Sequence, residues 1–214
     1  MTSREYRVLD EQLAAAGAPT HVEHALGPSA LEIEGAVAAL VNSKHSAAPY
    51  EELLLAALPE LHGTEAELVV RALTERGLRH AGPVFVEMLE TAAGSAKPDS
   101  GLAWALGNAL ATLVDPRTFA GVMALCSDTR LGSARQMLLG LLPRIGTDSA
   151  YRCAVSAVED ESVRGHAIEA LGRFKRSEAL GLLRSLATRP GKYEHKAKAT
   201  AIRRLERHNA RRSN

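Results

Sequence analysis

Residues 160–175 read DESVRGHAIEALGRFK, and this stretch decides the fold class. Its apolar residues recur at spacings of three and four, at Val163, Ala167, Leu171 and Phe174. That spacing places one apolar stripe along a helix of 3.6 residues per turn. The acidic turn that starts at Asp160 is typical of a helix N-terminus, where carboxylates and hydroxyls accept from the free N–H groups. The stretch therefore predicts an amphipathic helix that must bury one face.

The same spacing continues along the chain, which holds 37 Ala and 30 Leu among 214 residues. No stretch of strict alternation predicts a strand. Frequent Gly and Pro residues divide the pattern into segments of helix length. We predict twelve helices, over residues 3–16, 28–43, 49–61, 64–77, 81–93, 99–113, 116–126, 131–144, 147–158, 162–174, 176–187 and 193–209. Pro143 lies inside an apolar run and predicts a kink in the last turn of its helix.

The helical segments repeat with an internal period. At an offset of 29 residues, Arg164 and Leu171 align with Arg135 and Leu142. A fainter copy lies 31 residues before the earlier of these two segments, and another lies 34 residues after the later one. A period of this length is typical of stacked helix pairs, because one pair cannot bury its apolar stripe alone.

Residues 160–175, with the second apolar segment that follows at 179–183, resemble a HEAT repeat of the short bacterial form. The pattern of that form is an acidic turn, Val-Arg, Ala-x-x-Ala-Leu-Gly and a second amphipathic helix. The resemblance is good over 160–187, fair over 100–158 and 193–209, and weak before residue 64. It implies an all-α fold, a right-handed α-solenoid of HEAT-like helix pairs whose second helices form a concave face. We expect an N-terminal helical cap at 1–62 and one continuous repeat array at 63–214.

Charge is unevenly distributed although the net charge is only +1. Residues 1–162 hold 12 Lys and Arg against 21 Asp and Glu, whereas residues 163–214 hold 14 against 4. The two segments therefore carry net charges of −9 and +10. In a linear repeat array, this difference predicts an acidic end and a basic end. A basic end is suited to an acidic partner or a phosphate backbone, but it is also typical of a solvated terminal capping helix.

The candidate binding residues are all cationic. They are Arg152, Arg184, Lys196, Lys198, Arg203, Arg204 and Arg207. Arg152 and Arg184 align on the second helices of neighbouring units, where a guanidinium could hold a carboxylate or phosphate through two hydrogen bonds. A salt bridge to an adjacent unit is an equally good interpretation of these two arginines.

Sequence motifs of catalysis and of cofactor or metal binding are absent. There is no Gly-rich phosphate loop, no Gly-x-Ser-x-Gly turn and no Cys-x-x-Cys pair, so we predict no catalytic residue and no cofactor. His21 and His24 lie in an expected loop without a third ligand, so no metal site is predicted. A disulfide between Cys126 and Cys153 is possible, but the low cysteine count and the apolar positions of both residues favour inert buried thiols in a reducing compartment. The charged N-terminus and the lack of a long apolar run favour a cytoplasmic protein that does not enter a membrane.

These observations favour a non-catalytic protein-binding scaffold, such as an adaptor or an immunity-type module that covers a partner. Nucleic-acid binding through the basic C-terminal third is the alternative, because it needs only phosphate neutralisation. A HEAT-like DNA glycosylase is a weaker alternative. Such an enzyme stacks bases on aromatic side chains, and the chain has one Trp, three Phe and four Tyr. Trp104, the single tryptophan, aligns on a first helix away from the expected groove.

Overall fold

The computed structural model describes residues 2–26, 29–78, 80–95, 101–113 and 115–213. Over these residues the chain is mostly helical, with one short strand pair, which confirms the all-α class. The chain divides into two compact units, one of Met1–Leu89 with Ser100–Asp115 and one of Glu90–Asp99 with Pro116–Asn214. This division into compact units does not test the boundary expected at residue 62, because that boundary separates an N-terminal cap from a repeat array. The boundary at residue 62 stays a prediction.

The first unit is built around the helices of its N-terminal half and one later helix. Its elements are α1 (Arg4–Ala15), β1 (His21–Leu26), β2 (Ser29–Glu34), α2 (Ala36–Asn42), α3 (Glu51–Ala57), α4 (Gly63–Ala72), the start of α5 (Ala81–Ala93) and α6 (Gly101–Leu113). Helix α1 packs on α2 and α3, α2 packs on α4, and α4 packs on α6. Leu9, Leu54 and Leu106 are fully buried in this core. The predicted helix 99–113 matches α6 from residue 101, and its residues 99 and 100 lie outside the described residues.

The strand pair corrects the prediction of a helix over 28–43. Strands β1 and β2 are antiparallel, with a register that runs from His21 opposite Glu34 to Leu26 opposite Ser29. Residues 31–34 read LEIE, a strict alternation that favours a strand, and a Gly-Pro dipeptide separates the two strands. Helix formation begins only at α2, after Gly35 with a φ of 99°. His21 therefore lies on a strand and not in a loop.

The second unit contains the helices that carry the internal period. They are α7 (Phe119–Ser127), α8 (Arg135–Leu139), α9 (Leu142–Ile145), α10 (Asp148–Ala157), α11 (Arg164–Phe174), α12 (Ala179–Ser185) and α13 (Tyr193–Ser213). Helix α7 packs on α10 and α8 packs on α11, so elements about one period apart are neighbours. Helix α11 also packs on α10, α12 and α13. The right-handed solenoid and the HEAT resemblance stay predictions.

The segment around Pro143 is interrupted rather than kinked. The predicted helix 131–144 is divided into a 3₁₀ turn at Thr129–Ala134, α8 and α9. Pro143 has no N–H to donate and its ring would collide with the carbonyl four residues earlier, at the end of α8. Leu141 N instead donates to Leu138 O at 2.9 Å, and Pro143 lies in the first turn of α9, where its missing donor is tolerated.

The contact between α11 and α13 depends on small residues. A Cβ added to Gly172 would lie 2.7 Å from the Cβ of Ala201, closer than two such atoms approach. A Cβ added to Gly165 would collide with the ring of Tyr193 in the same way. On α13, Ala197, Ala201 and Leu205 face this contact and are almost completely buried. The Ala-Leu-Gly end of the sequence motif therefore sets how closely α13 approaches α11.

Candidate functional site

Helix α13 carries a stripe of cations on the side away from its buried residues. At 100° per residue, positions 196, 200, 203, 207 and 211 fall on one face, and all five are exposed. We call Lys196, Thr200, Arg203, Arg207 and Arg211 the basic stripe. It spans about 22 Å at 1.5 Å per residue. The helix is held in this orientation because its alanine face fits only against α11.

The cations of the basic stripe are not neutralised by carboxylates of the described residues. Arg203 Nη2 lies 3.5 Å from Thr200 Oγ1, and Arg207 Nε donates to Arg203 O at 3.2 Å. Neither contact removes a charge, and the described residues give Lys196 and Arg211 no ion pair. A shallow depression of about 450 Å³ lies beside the stripe, lined by Thr200, Arg203, Glu206 and Arg207. This face can hold several anionic groups at once.

Among the described residues that line this depression, Glu206 is the one acid, and it is paired with a residue of another helix. Arg184 of α12 binds it with Nη2 2.8 Å from Oε1, and both side chains are largely exposed. The pair joins α12 to α13, as the salt-bridge interpretation of Arg184 expects, and the binding role of Arg184 stays a prediction. Such an exposed pair contributes little stability, so Arg184 remains exchangeable with an external anion.

Other predicted site residues lie apart from the stripe. Lys198 is half-buried, and its Nζ donates to Leu186 O at 2.6 Å and to Arg184 O at 3.3 Å. It therefore neutralises the negative C-terminal end of α12 and is a structural residue. Arg204 is at the edge of the stripe and only partly exposed. Arg152 is exposed on α10 and contacts Ser149 of its own helix at 3.3 Å.

Both cysteines lie in the second unit, on helices that pack on each other. Cys126 is buried on α7, but Cys153 on α10 is only partly buried, so the expectation of two buried thiols is wrong for Cys153. The thiols hydrogen-bond to each other. That bond, with contributions from Ser127 and Arg135, outweighs burial and lowers the pKa of Cys153 to about 6. The same bond and its burial raise the pKa of Cys126.

Arg135 is a charged residue buried next to these cysteines, with a relative exposure of 2%. Its Nη1 donates to Cys126 O at 3.2 Å, its Nε to Gly132 O at 3.3 Å, and its Nη2 to Asp160. Asp160 also accepts from the N–H and hydroxyl of Ser162 at the start of α11. Asp160 of the acidic turn thus binds the buried Arg135 and also accepts hydrogen bonds at the start of α11.

Trp104 is 47% exposed on α6 and lines a depression of about 310 Å³ in the first unit. Val41 of α2, Arg71 of α4 and Asn108 of α6 complete its wall, together with Thr74 and Ala105. Arg71 is already paired with Glu67. His166 of α11 is half-buried, and its ring lies 5.1 Å from that of Tyr193.

Among the described residues, no three His, Cys, Asp or Glu side chains are grouped so that they could hold a metal ion. No helix in the described ranges has both the length and the apolar character that a bilayer crossing requires. The chain matches no protein-family model, no curated protein and no solved structure.

Proposed function

We propose that this protein is a non-catalytic binding scaffold, a HEAT-like α-solenoid that holds an acidic protein partner on the basic stripe of α13. The observation that supports the proposal is four cations on one exposed helix face with no carboxylate of the described residues paired to them. When a partner covers these cations, its carboxylates can accept charge-assisted hydrogen bonds from them. Each of the three arginines of the stripe can bind one carboxylate through two such hydrogen bonds.

The partner class is argued from the length and composition of the stripe. Its cations lie about 6 to 11 Å apart along the helix axis, a spacing that acidic side chains on a second helix or an extended segment can match. The aromatic side chain on α13 is Tyr193 at its start, so the stripe offers no row of rings on which unpaired bases could stack. These features favour carboxylate recognition over single-stranded nucleic acid.

The test is co-purification of the full chain from native lysate after nuclease treatment. Wild type should retain a stoichiometric protein partner that Arg203→Gln with Arg207→Gln loses. The matched control is Arg189→Gln with Lys192→Gln, which removes the same charge from the loop before α13 and should retain the partner. Recovery of the wild-type chain alone at every salt concentration contradicts the proposal, and so does equal loss in the control.

Duplex DNA or RNA is the second candidate, supported by the same four cations because phosphate contact needs no base recognition. Four phosphate contacts predict a slope near −3.6 in log affinity against log salt, or about a 100-fold loss between 50 and 200 mM salt. Fluorescence anisotropy on a random-sequence duplex measures this slope. Undetectable binding at 50 mM salt, or binding that the Arg203 and Arg207 substitutions leave intact, removes this candidate.

A further inference from the structure

The chain has only two cysteines, and helix packing brings them into contact. They are 27 residues apart in sequence, whereas the internal period of this region is 29, so their meeting is not a simple repeat of one position. Helices α7 and α10 pack on each other, and Ser127, the neighbour of Cys126, has its Oγ 3.6 Å from Cys153 Sγ. The same packing couples the two thiols, each of which shifts the pKa of the other.

The surroundings of the two thiols differ in ways that assign them different roles. Cys126 is 1% exposed, whereas Cys153 is partly exposed, so a small reagent in solution meets Cys153 first. Ser127 Oγ lies 3.6 Å from Cys153 Sγ and 3.1 Å from Met123 O. Because a hydroxyl has one proton, a thiolate at Cys153 would draw that proton from the carbonyl to the sulfur.

Positive charge also favours a thiolate at this position. The guanidinium of Arg135 is held beside Cys126 O and lowers the pKa of Cys153. Arg135 donates to Asp160 through its Nη2 and to the carbonyl oxygen of Cys126 through its Nη1, and this fixes the position of the guanidinium. Cys153 thus lies beside the Cys126 thiol, a hydroxyl that can donate to a thiolate, and a fixed cation, which are surroundings that make a cysteine nucleophilic.

We propose that Cys153 is a peroxide-reactive nucleophile and Cys126 its resolving thiol, so that oxidation links α7 to α10 by a Cys126–Cys153 disulfide. This assignment is independent of the proposed function of the basic stripe. It makes the pair a modification site whose oxidant is hydrogen peroxide or an organic hydroperoxide.

The reaction proceeds in two balanced steps. The Cys153 thiolate attacks one peroxide oxygen, an S–O bond forms, the O–O bond breaks, and hydroxide leaves and takes up a proton. The resulting sulfenic acid is then attacked by Cys126, which gives up its proton as the S–S bond forms and the S–O bond breaks. Water leaves in this second step. Two electrons pass from the two thiols to one peroxide. Hydrogen peroxide gives two water molecules, and an organic hydroperoxide gives one alcohol, from its alkoxide leaving group, and one water.

The first experiment is oxidation of the reduced full chain with one equivalent of hydrogen peroxide. Intact mass should fall by two hydrogens, and a digest under non-reducing conditions should contain one cross-linked peptide with both cysteines. Cys126→Ser should instead stop at a Cys153 sulfenic acid that dimedone traps, and Cys153→Ser should remain unoxidised. A Cys153 sulfinate beside a free Cys126, or a disulfide between two chains, overturns the assignment. The wild-type digest decides the question even where a variant fails to fold.

The second experiment measures nucleophilicity as the rate of alkylation by monobromobimane at pH 5.5. About a quarter of a thiol with a pKa of about 6 is ionised at this pH, against roughly a thousandth of an ordinary cysteine. The lower intrinsic reactivity of a more acidic thiol offsets about a tenfold part of that difference. Cys153 in the native chain should therefore react on the order of tenfold faster than the same residue in the urea-unfolded chain. Equal rates, or faster labelling of Cys126, contradict the assignment.

Discussion

Replacement of Asp160 by Asn should be strongly destabilising, because it leaves the buried guanidinium of Arg135 without its counter-charge. The Arg135 side chain is 3% exposed and the Asp160 side chain 31% exposed. Removing one partner of a fully buried ion pair costs about 3–5 kcal/mol. Water reaches the Asp160 edge, and the carbonyls of Cys126 and Gly132 still accept from Arg135. We therefore expect a loss of about 2–3 kcal/mol in the free energy of unfolding.

The assay is urea denaturation of the full chain at pH 7, followed by far-ultraviolet circular dichroism. Glu206→Gln is the matched control, because it removes one carboxylate from the exposed Arg184–Glu206 pair. That substitution should cost no more than about 0.5 kcal/mol. If Asp160→Asn costs no more than this control, the buried pair does not have the energetic role assigned to it.

The pH dependence gives an independent measure of the same interaction. Burial alone would raise the pKa of Asp160, but hydrogen bonds from Ser162 and Arg135 outweigh it and lower the pKa. A carboxylate with a lowered folded-state pKa stabilises the fold above the ordinary Asp pKa of about 4 and loses that contribution at lower pH. The difference in free energy of unfolding between wild type and Asp160→Asn should therefore be constant from pH 7 to about 5 and should decrease below about pH 4. A difference that stays constant down to pH 3 would refute the reasoning.

Three further substitutions test the packing and capping contacts through urea denaturation. Gly172→Ala should lower the free energy of unfolding by roughly 1–2 kcal/mol despite the better helix propensity of Ala, because the new methyl group collides with α13. Its control is Gly181→Ala on α12, where the added methyl group meets open space and should leave stability unchanged or raise it. Lys198→Met should cost about 1–2 kcal/mol by releasing the last carbonyls of α12, whereas Lys196→Met should change stability by less than about 0.5 kcal/mol. Asp10→Ala should cost about 1 kcal/mol, since its carboxylate accepts from an N–H in the first turn of α2 at 3.0 Å.

The helices of the second unit were predictable because their stripes are long and are bounded by Gly, Pro and acidic turns. The predicted segments 147–158 and 162–174 match α10 and α11 to within a few residues. The strand pair was missed because its alternation spans only four residues, LEIE, next to an Ala-rich segment of helix character. A short apolar pattern of this kind is ambiguous between helix and strand until its neighbours are known.

The candidate site was predictable in its charge but not in its contacts. Periodicity places Lys196, Arg203 and Arg207 on one face of α13, and the structure has them exposed there. Lys198 lies on the opposite side of α13 from the stripe at 100° per residue, and the carbonyl oxygens to which it donates are at the end of another helix, α12. The Cys126–Cys153 contact likewise depends on the packing of α7 against α10, which no local pattern reports.

The division of the chain into two units has a consequence for how it folds during synthesis. The first unit is completed by Ser100–Asp115, but Glu90–Asp99, which belong to the second unit, leave the ribosome before that segment. The described residues 90–95 of the second unit therefore emerge before the first unit is complete, and the rest of their own unit follows only from Pro116 onward. Domains generally fold in the order in which they leave the ribosome. Here the segments of the two units leave it alternately, so neither unit is complete before part of the other has emerged. No single cleavage of the backbone can release either of them whole.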